Sequence, residues 1–451
     1  MAKVQKRSQS EYLEQVEAAI ASEDNGALSA TLAEMHPADI ADLLEALPSG
    51  KRLLVWAQVS PGSAGEVLIE LAESVRGDLV RGLDDKSLAD AVQSLDTDDI
   101  ADLIPIFSDE VISRILFAMS KRERQQLDTV LSYPDDTAGG LMNVDMVTIR
   151  EDISVGVVLR YLRMHQVLPE FTNKLFVVNR NGGLVGELLL SKILTSDTDV
   201  VTSEIMLTDA VRFGVLTPAS EVAAAFERYN LVSAPVVDDN GILVGRVTVD
   251  DVVDVIREGA DQLLMAPAGL SESEDIFAPV ARSTRNRAVW LGVNLITAIL
   301  ASWVIGLFES TIQKVVALAV LMPIVASMGG NAGTQTLTLV VRGMALGTIT
   351  YSNARSVLMR EIMVGMWNSL IWALVMGVVA VIWYKNYMLG LVIGMAMIIN
   401  LIVAASAGVI IPLAARRLGI DPALASGVAL TTMTDVAGFL AFLGLASLYL
   451  I

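Results

Sequence analysis

Five apolar runs, at residues 288–308, 315–341, 360–383, 388–414 and 423–450, limit what this chain can fold into more than any other feature. Each is long enough to cross about 30 Å of hydrocarbon as a helix, and a bilayer tolerates helices because they satisfy their own backbone polar groups. Charge follows the same division. Residues 288–451 hold four acids and seven bases, whereas the preceding 287 residues carry a net charge of −22, against −19 for the whole chain. The sequence thus reads as an acidic soluble portion joined to a membrane portion. Such an anionic portion lacks the basic stripe that binds nucleic acid and favours cations. The absence of cysteine removes disulfides, thiolate metal sites and cysteine nucleophiles. The first thirty residues have no apolar core of the signal-peptide kind, so the soluble portion is expected to stay on the side of synthesis. With that portion inside, Arg282, Arg285, Arg287, Arg342, Arg355, Arg360, Arg416 and Arg417 fall on the inner face and Lys314 and Lys385 outside, as the positive-inside rule requires. The carboxy terminus then lies outside.

Two internal duplications organise the soluble portion. Asp39-Ile-Ala-Asp-Leu-Leu44 returns sixty residues later as Asp99-Ile-Ala-Asp-Leu-Ile104. Ile40, Leu43, Leu44 and Leu47, like Ile100, Leu103, Ile104 and Phe107, mark one buried face of a helix. Stacked helical repeats are the expected fold. Further on, Val177-Val-Asn-Arg-Asn-Gly-Gly-Leu-Val-Gly186 aligns with Val236-Val-Asp-Asp-Asn-Gly-Ile-Leu-Val-Gly245. Each copy predicts a strand, a tight turn and a second strand, with a helix such as 250–257 after it. This pair resembles tandem CBS domains, which are usually regulatory. Gly245-Arg-Val-Thr-Val-Asp-Asp251 is similar to that family's ribose-holding Ser/Thr-x-x-Asp signature, pointing to ATP or another adenine nucleotide at Thr248 and Asp251. A helix cap by Asp250 or Asp251 is the competing reading. The first copy has Leu189 and Lys192 at the matching positions.

The membrane portion carries polar groups where they are costly. Pro323-Ile-Val-Ala-Ser-Met-Gly-Gly-Asn-Ala-Gly-Thr-Gln-Thr336 lies in the second run. Its proline frees a carbonyl and its glycines, Gly330 among them, allow close approach. Asn331 and Gln335, four apart, favour a polar cavity over simple helix packing. The last run holds Thr431, Thr432, Thr434 and Asp435. An aspartate at such depth costs about 2.5–3.5 kcal/mol on insertion scales. It lies roughly 20 Å along the helix from Pro422, and the basic residues of the other runs sit near their ends. Two states remain for Asp435, a protonated hydrogen-bonded acid or an anion facing a cation in a wet pore, and the second is favoured. Oxygen ligands without thiol or membrane histidine suit magnesium or calcium. A twofold dimer would bring two copies of Asp435 to one ion, which they would grip through its waters.

Together with the acidic helical region and the CBS-like pair, Met328-Gly-Gly-Asn-Ala-Gly-Thr-Gln335, Gly419-Ile-Asp-Pro-Ala-Leu424 and Thr431-Thr-Met-Thr-Asp-Val-Ala-Gly438 resemble the MgtE-type magnesium channels. The architecture this implies is multidomain. An all-α helical-repeat N-terminal domain spans 1–136, an α/β tandem CBS pair 137–257, a linker or plug helix 258–287, and a five-helix transmembrane domain 288–451. The resemblance implies a homodimer in the bacterial inner membrane, in contact with lipid, conducting magnesium. Asp435 then matches the selectivity carboxylate, with Asn331 lining the pore and Asp421 at its cytoplasmic mouth. Asp421 before Pro422 is equally an ordinary helix start. Carboxylates of the helical domain, the CBS pair and the linker would repel one another until magnesium bridged them and drew the plug against the pore. The candidates are Asp98, Asp102, Asp250, Asp251, Asp254, Glu258 and Asp261. The linker departs from the family by reading Arg-Glu-Gly-Ala-Asp-Gln over 257–262, with only two acids. A coupled or broader Mg/Mn/Co transporter, and a non-conducting nucleotide or cation sensor, are the alternatives. An enzyme is not expected, since His36 and His165 stand alone with no nucleophile and base paired.

Overall fold

A computed structural model describes residues 9–92, 95–165, 167–271 and 274–451. The chain divides into two compact units. Met1–Gly259 with Ser273–Pro279 form one, and Ala260–Glu272 with Val280–Ile451 form the other.

The first unit opens with ten helices, α1 to α10, between Gln9 and Val130. The repeated hexapeptides lie in α3 (Pro37–Glu45) and α8 (Thr97–Leu103). Their apolar stripes enter one shared core, with Ile104 only partly covered. Helix starts are set locally. His36 caps α3 by accepting from the Ala38 N–H at 3.3 Å, and Ser120 and Glu123 close a reciprocal capping box on α10 (Lys121–Val130). Arg52 is 2% exposed in this core. It donates to the carbonyls of Leu44 (2.9 Å) and Glu45 (3.3 Å), at the end of α3, and makes a bidentate pair with Asp275 at 2.6 and 3.0 Å. Residues 273–279, which follow the linker in sequence, thereby belong to the soluble unit.

Two three-stranded sheets follow, β1 (Thr148–Arg150), β2 (Lys174–Val178) and β3 (Leu184–Leu189), then β4 (Phe213–Gly214), β5 (Ser233–Val237) and β6 (Leu243–Thr248). In both, the first strand runs parallel to the second and the second antiparallel to the third. The duplication is repeated in register, Val177 opposite Gly186 and Val236 opposite Gly245. Gly182 and Gly241 hold the two turns at φ +81° and +76°, a region that glycine enters freely. The turns also meet: Leu184 N–H donates to Gly241 and Leu243 N–H to Gly182. Helices α11 (Val155–Met164), α12 (Leu190–Thr195), α13 (Thr202–Ile205) and α14 (Ala219–Tyr229) pack around the sheets. Helix α15 (Val249–Met265) then carries residues of both units. No proline interrupts it before Pro267, so the expected separate linker helix is a continuation of the helix begun at Val249.

Among its described residues the second unit holds five long apolar helices, α16 (Val280–Gly306), α18 (Ala317–Ala345), α19 (Ala354–Tyr384), α20 (Tyr387–Arg417) and α21 (Pro422–Tyr449). A short helix, α17 (Glu309–Lys314), joins the first two. The chain is a membrane protein. Helix α16 starts eight residues before its apolar run because Arg282, Arg285 and Arg287 occupy its first turns. Helix α20 is the most enclosed of the five, packing on α18, α19 and α21.

Candidate functional site

Helices α18 and α21 bring most of the predicted membrane residues to one place. Ser327, Asn331, Thr334, Gln335 and Thr338 are all exposed in the subunit and recur at helical spacing along one face of α18. Asn331 Nδ2 touches only the Ser327 hydroxyl, at 3.4 Å, and the space beside Gly330 is open. On α21, Thr431 is exposed and Asp435, one turn on, is half-buried. No hydrogen bond or ion pair reaches the Asp435 carboxyl from the described residues. The Thr431, Thr432 and Thr434 hydroxyls donate to backbone carbonyls of their own helix at 3.1, 2.8 and 3.0 Å, which leaves lone pairs to accept. Thr434 is fully buried, so it serves packing rather than the exposed face. Pro422 starts α21, and Asp421 caps it by accepting from the Ala423 N–H at 2.8 Å.

The end of the linker lies on the same helices. Gln262 Nε2 donates to Asp421 Oδ2 at 2.8 Å, so Asp421 is both helix cap and linker contact. A cavity of about 360 Å³ is lined by Leu264 and Pro267 of the linker, Trp290 of α16, Thr334 and Arg342 of α18, and Thr431 of α21, among others. Gly269 ends the linker turn at φ +73°, and a Cβ there would run into the Trp290 ring.

In the soluble unit a second constellation forms where α8 meets the start of α15. Burial first, then the neighbouring carboxylates, pushes Asp98 and Asp99 up to about 7. Burial likewise raises Asp102, to about 6, against the pull of Arg76. Asp251 is raised well above the usual carboxylate range by burial and then by Asp250 and Asp98. The Thr248 hydroxyl lies 3.0 Å from Asp251 and also contacts Asp250. Asn143 donates to Asp98 at 3.2 Å. Arg246, held by the carbonyls of Asp145 and Glu170, and Arg76 are the nearby cations. Asp98, Asp102, Asp250 and Asp251 are thus gathered. Asp254 pairs with Arg257 at 3.1 Å and, with Glu258, acts on Arg76. Asp261 falls in the other unit. Among the described residues no group of three or more acidic or histidine side chains is placed to hold a metal ion directly.

Three participants were not foreseen from sequence. Asp99 belongs to the acid cluster through the turn of α8, and Glu361 of α19 accepts from the buried Thr336 hydroxyl at 3.2 Å. Asn400, 1% exposed in α20, is the third. Its signal was a lone amide in Ile-Ile-Asn-Leu-Ile, the kind of intramembrane polar residue that needs a reason.

Residues 322–445 match the MgtE family, described as divalent cation transporter, a transport class rather than an enzyme class. Residues 35–136 match the MgtE intracellular N domain, and 138–198 and 201–258 match CBS domains. The magnesium transporter MgtE of Thermus thermophilus is 32% identical over 433 residues, covering 95% of this chain and 96% of that one. The magnesium transporter MgtE of Bacillus subtilis is 32% identical over 337 residues, 74% of each chain. Among solved structures, the cytosolic domain of the Mg2+ channel MgtE in complex with ATP is 32% identical. It covers 54% of this chain and 99% of that chain, with a TM-score of 0.49.

Proposed function

The chain belongs to the MgtE family of divalent cation transporters, and from that premise we propose that it is a magnesium-selective channel gated by magnesium on the side of its soluble unit. The observation that carries the reading is the polar face of α18 and α21. In a lone subunit it would set Asn331, Gln335, Thr431 and Asp435 against lipid, where unsatisfied polar groups are costly. A second copy of the chain, related by a twofold axis along this face, turns the two faces toward each other around water. Two Asp435 carboxylates then match the charge of one divalent ion. Magnesium sheds its water reluctantly, so carboxylates, threonine oxygens and the Asn331 amide would meet its hydration shell. The arginine-rich ends of α16, α18, α19 and α20 support an inner-membrane orientation with the soluble unit inside.

Gating follows from the acid cluster. Uncompensated carboxylates on α8 and α15 oppose docking, and a hydrated magnesium ion among them removes that opposition. Helix α15 also carries the linker whose Gln262 holds Asp421 and whose end caps the 360 Å³ cavity. Binding at one place therefore biases the other through a single helix. At Thr248 and Asp251 an adenine nucleotide would present its ribose to the touching hydroxyl and carboxyl. Isothermal titration of ATP into wild type and Thr248→Val tests that step separately.

The decisive experiment is magnesium current in a planar bilayer. A reversal potential that follows only the magnesium gradient identifies a channel, and one that moves with a second ion identifies a coupled exchanger. Asp435→Asn is expected to cut the current by at least about tenfold, as loss of a pore charge should, with the protein still accumulating and folded. Unchanged current and selectivity in that variant would remove Asp435 from the pore.

A further inference from the structure

Asn400 lies deep in α20, away from the exposed polar face. Its Nδ2 donates to the Val325 carbonyl of α18 at 2.9 Å. Two glycines close on the same amide. A Cβ on Gly329 of α18 would overlap Nδ2, and one on Gly438 of α21 would stand 2.7 Å from Nδ2 and 3.0 Å from Cγ. Real side chains do not approach so near, so both glycines are required for the helices to reach Asn400. Conversely, a bulkier group at position 400 would drive α18 and α21 apart. Gly329 is two residues before Asn331, and Gly438 is three after Asp435. The Oδ1 atom is buried without a partner among the described residues. What the side chain contributes is therefore one bond and a fixed thickness.

We propose that Asn400 is the positioning residue of the ion pathway: its amide, clamped between Gly329 and Gly438, sets the separation of Asn331 and Asp435 and so which hydrated cation passes. The inference rests on the reading of α18 and α21 as pore helices and deepens it. Asn400 touches no ion; it acts through the two helices. A filter that holds an ion through its water shell discriminates by spacing, and magnesium and calcium differ in the size and rigidity of that shell. An amide bonded to a backbone carbonyl is a stiffer spacer than an aliphatic chain of similar volume, because the bond fixes its rotamer.

The test uses the full-length protein in liposomes, with calcium and magnesium influx measured side by side. Asn400→Ala is expected to raise the calcium-to-magnesium flux ratio by about tenfold, the lower end of what losing a supporting residue does at a cation site. Gly329→Ala should lower the melting temperature of the purified protein, and Gly329→Ala with Asn400→Ala should restore it, since the shorter side chain makes room for the new methyl. Should Asn400→Ala fail to accumulate, Asn400→Ser is measured with the same expected ratio. A wild-type ratio in the Asn400 variant, while Asp435→Asn still abolishes magnesium flux, would overturn the proposal and leave the pore reading standing. Failure of Gly329→Ala to be rescued would overturn it independently of any flux. Full flux in Asp435→Asn would overturn the pore reading itself.

Discussion

Asp98, Asp99, Asp102 and Asp251 each hold a proton to higher pH than a free carboxylate does. Their folded-state values lie above the unfolded one, so ionisation in the folded protein is a cost. That cost is absent below about pH 4 and grows as pH rises toward about 7. The metal-free soluble unit should accordingly melt at higher temperature at pH 6 than at pH 8, and saturating magnesium should flatten the difference. Thermal unfolding with and without chelator checks this; a melting temperature that rises with pH in chelator would contradict it. Single residues were unequally legible. Asp435 and Asn331 stood out as candidates, because a carboxylate or amide among polar motif residues in an apolar run has few uses, and the structure leaves Asn331 exposed and Asp435 half-buried. Asn400 did not, since its proposed role depends on Gly329 and Gly438 in other helices, and no spacing along the chain reports contacts between residues so far apart. Asp98 and Asp102 could be placed one turn apart, but that Asn143 and Arg246 would face Asp98, and Arg76 Asp102, is a property of tertiary packing alone.

Elements were read best where a period repeats. The offset of 59 between strand pairs reappears as identical register in the two sheets, and the repeated hexapeptides as α3 and α8. Ends were read less well. Hydropathy marks only the apolar length of a span, so the arginine-bearing first turns of α16 and the short α17 lay outside its reach. From sequence the linker is expected to break at Pro267, Gly269 and Pro279 after one more helical stretch; that stretch joins the preceding helix without a gap in α15, since one glycine, Gly259, costs a helix only about 1 kcal/mol. The helix ends at Met265 and the turn after it closes at Gly269. Its left-handed backbone and its contact with Trp290 hold the linker turn against α16. Gly269→Ala would cost roughly 1–2 kcal/mol from backbone strain alone, besides displacing the indole. The expected outcome is a closed state weakened by about tenfold, seen as a higher half-inhibitory magnesium concentration in the bilayer recording. An unaltered inhibition curve would show that this turn does not participate in closure.

For the whole molecule, the proposed pairing of two copies along the polar face of α18 and α21 is easy to examine, because the sequence has no cysteine. Asn331→Cys introduces the chain's only thiol, so any disulfide it forms must join two chains. Oxidation or a short thiol-to-thiol reagent should give a dimer on a non-reducing gel, and Trp367→Cys, at an exposed position of α19, should not. Equal yields at both positions would argue against the pairing. The pair between Arg52 and Asp275 bears on a different matter. Because residues 273–279 return to the soluble unit, a segment far along the sequence supplies Asp275, the carboxylate partner of the buried Arg52. Removing that carboxylate would leave the guanidinium facing only the carbonyls of Leu44 and Glu45, a charge stranded in apolar surroundings.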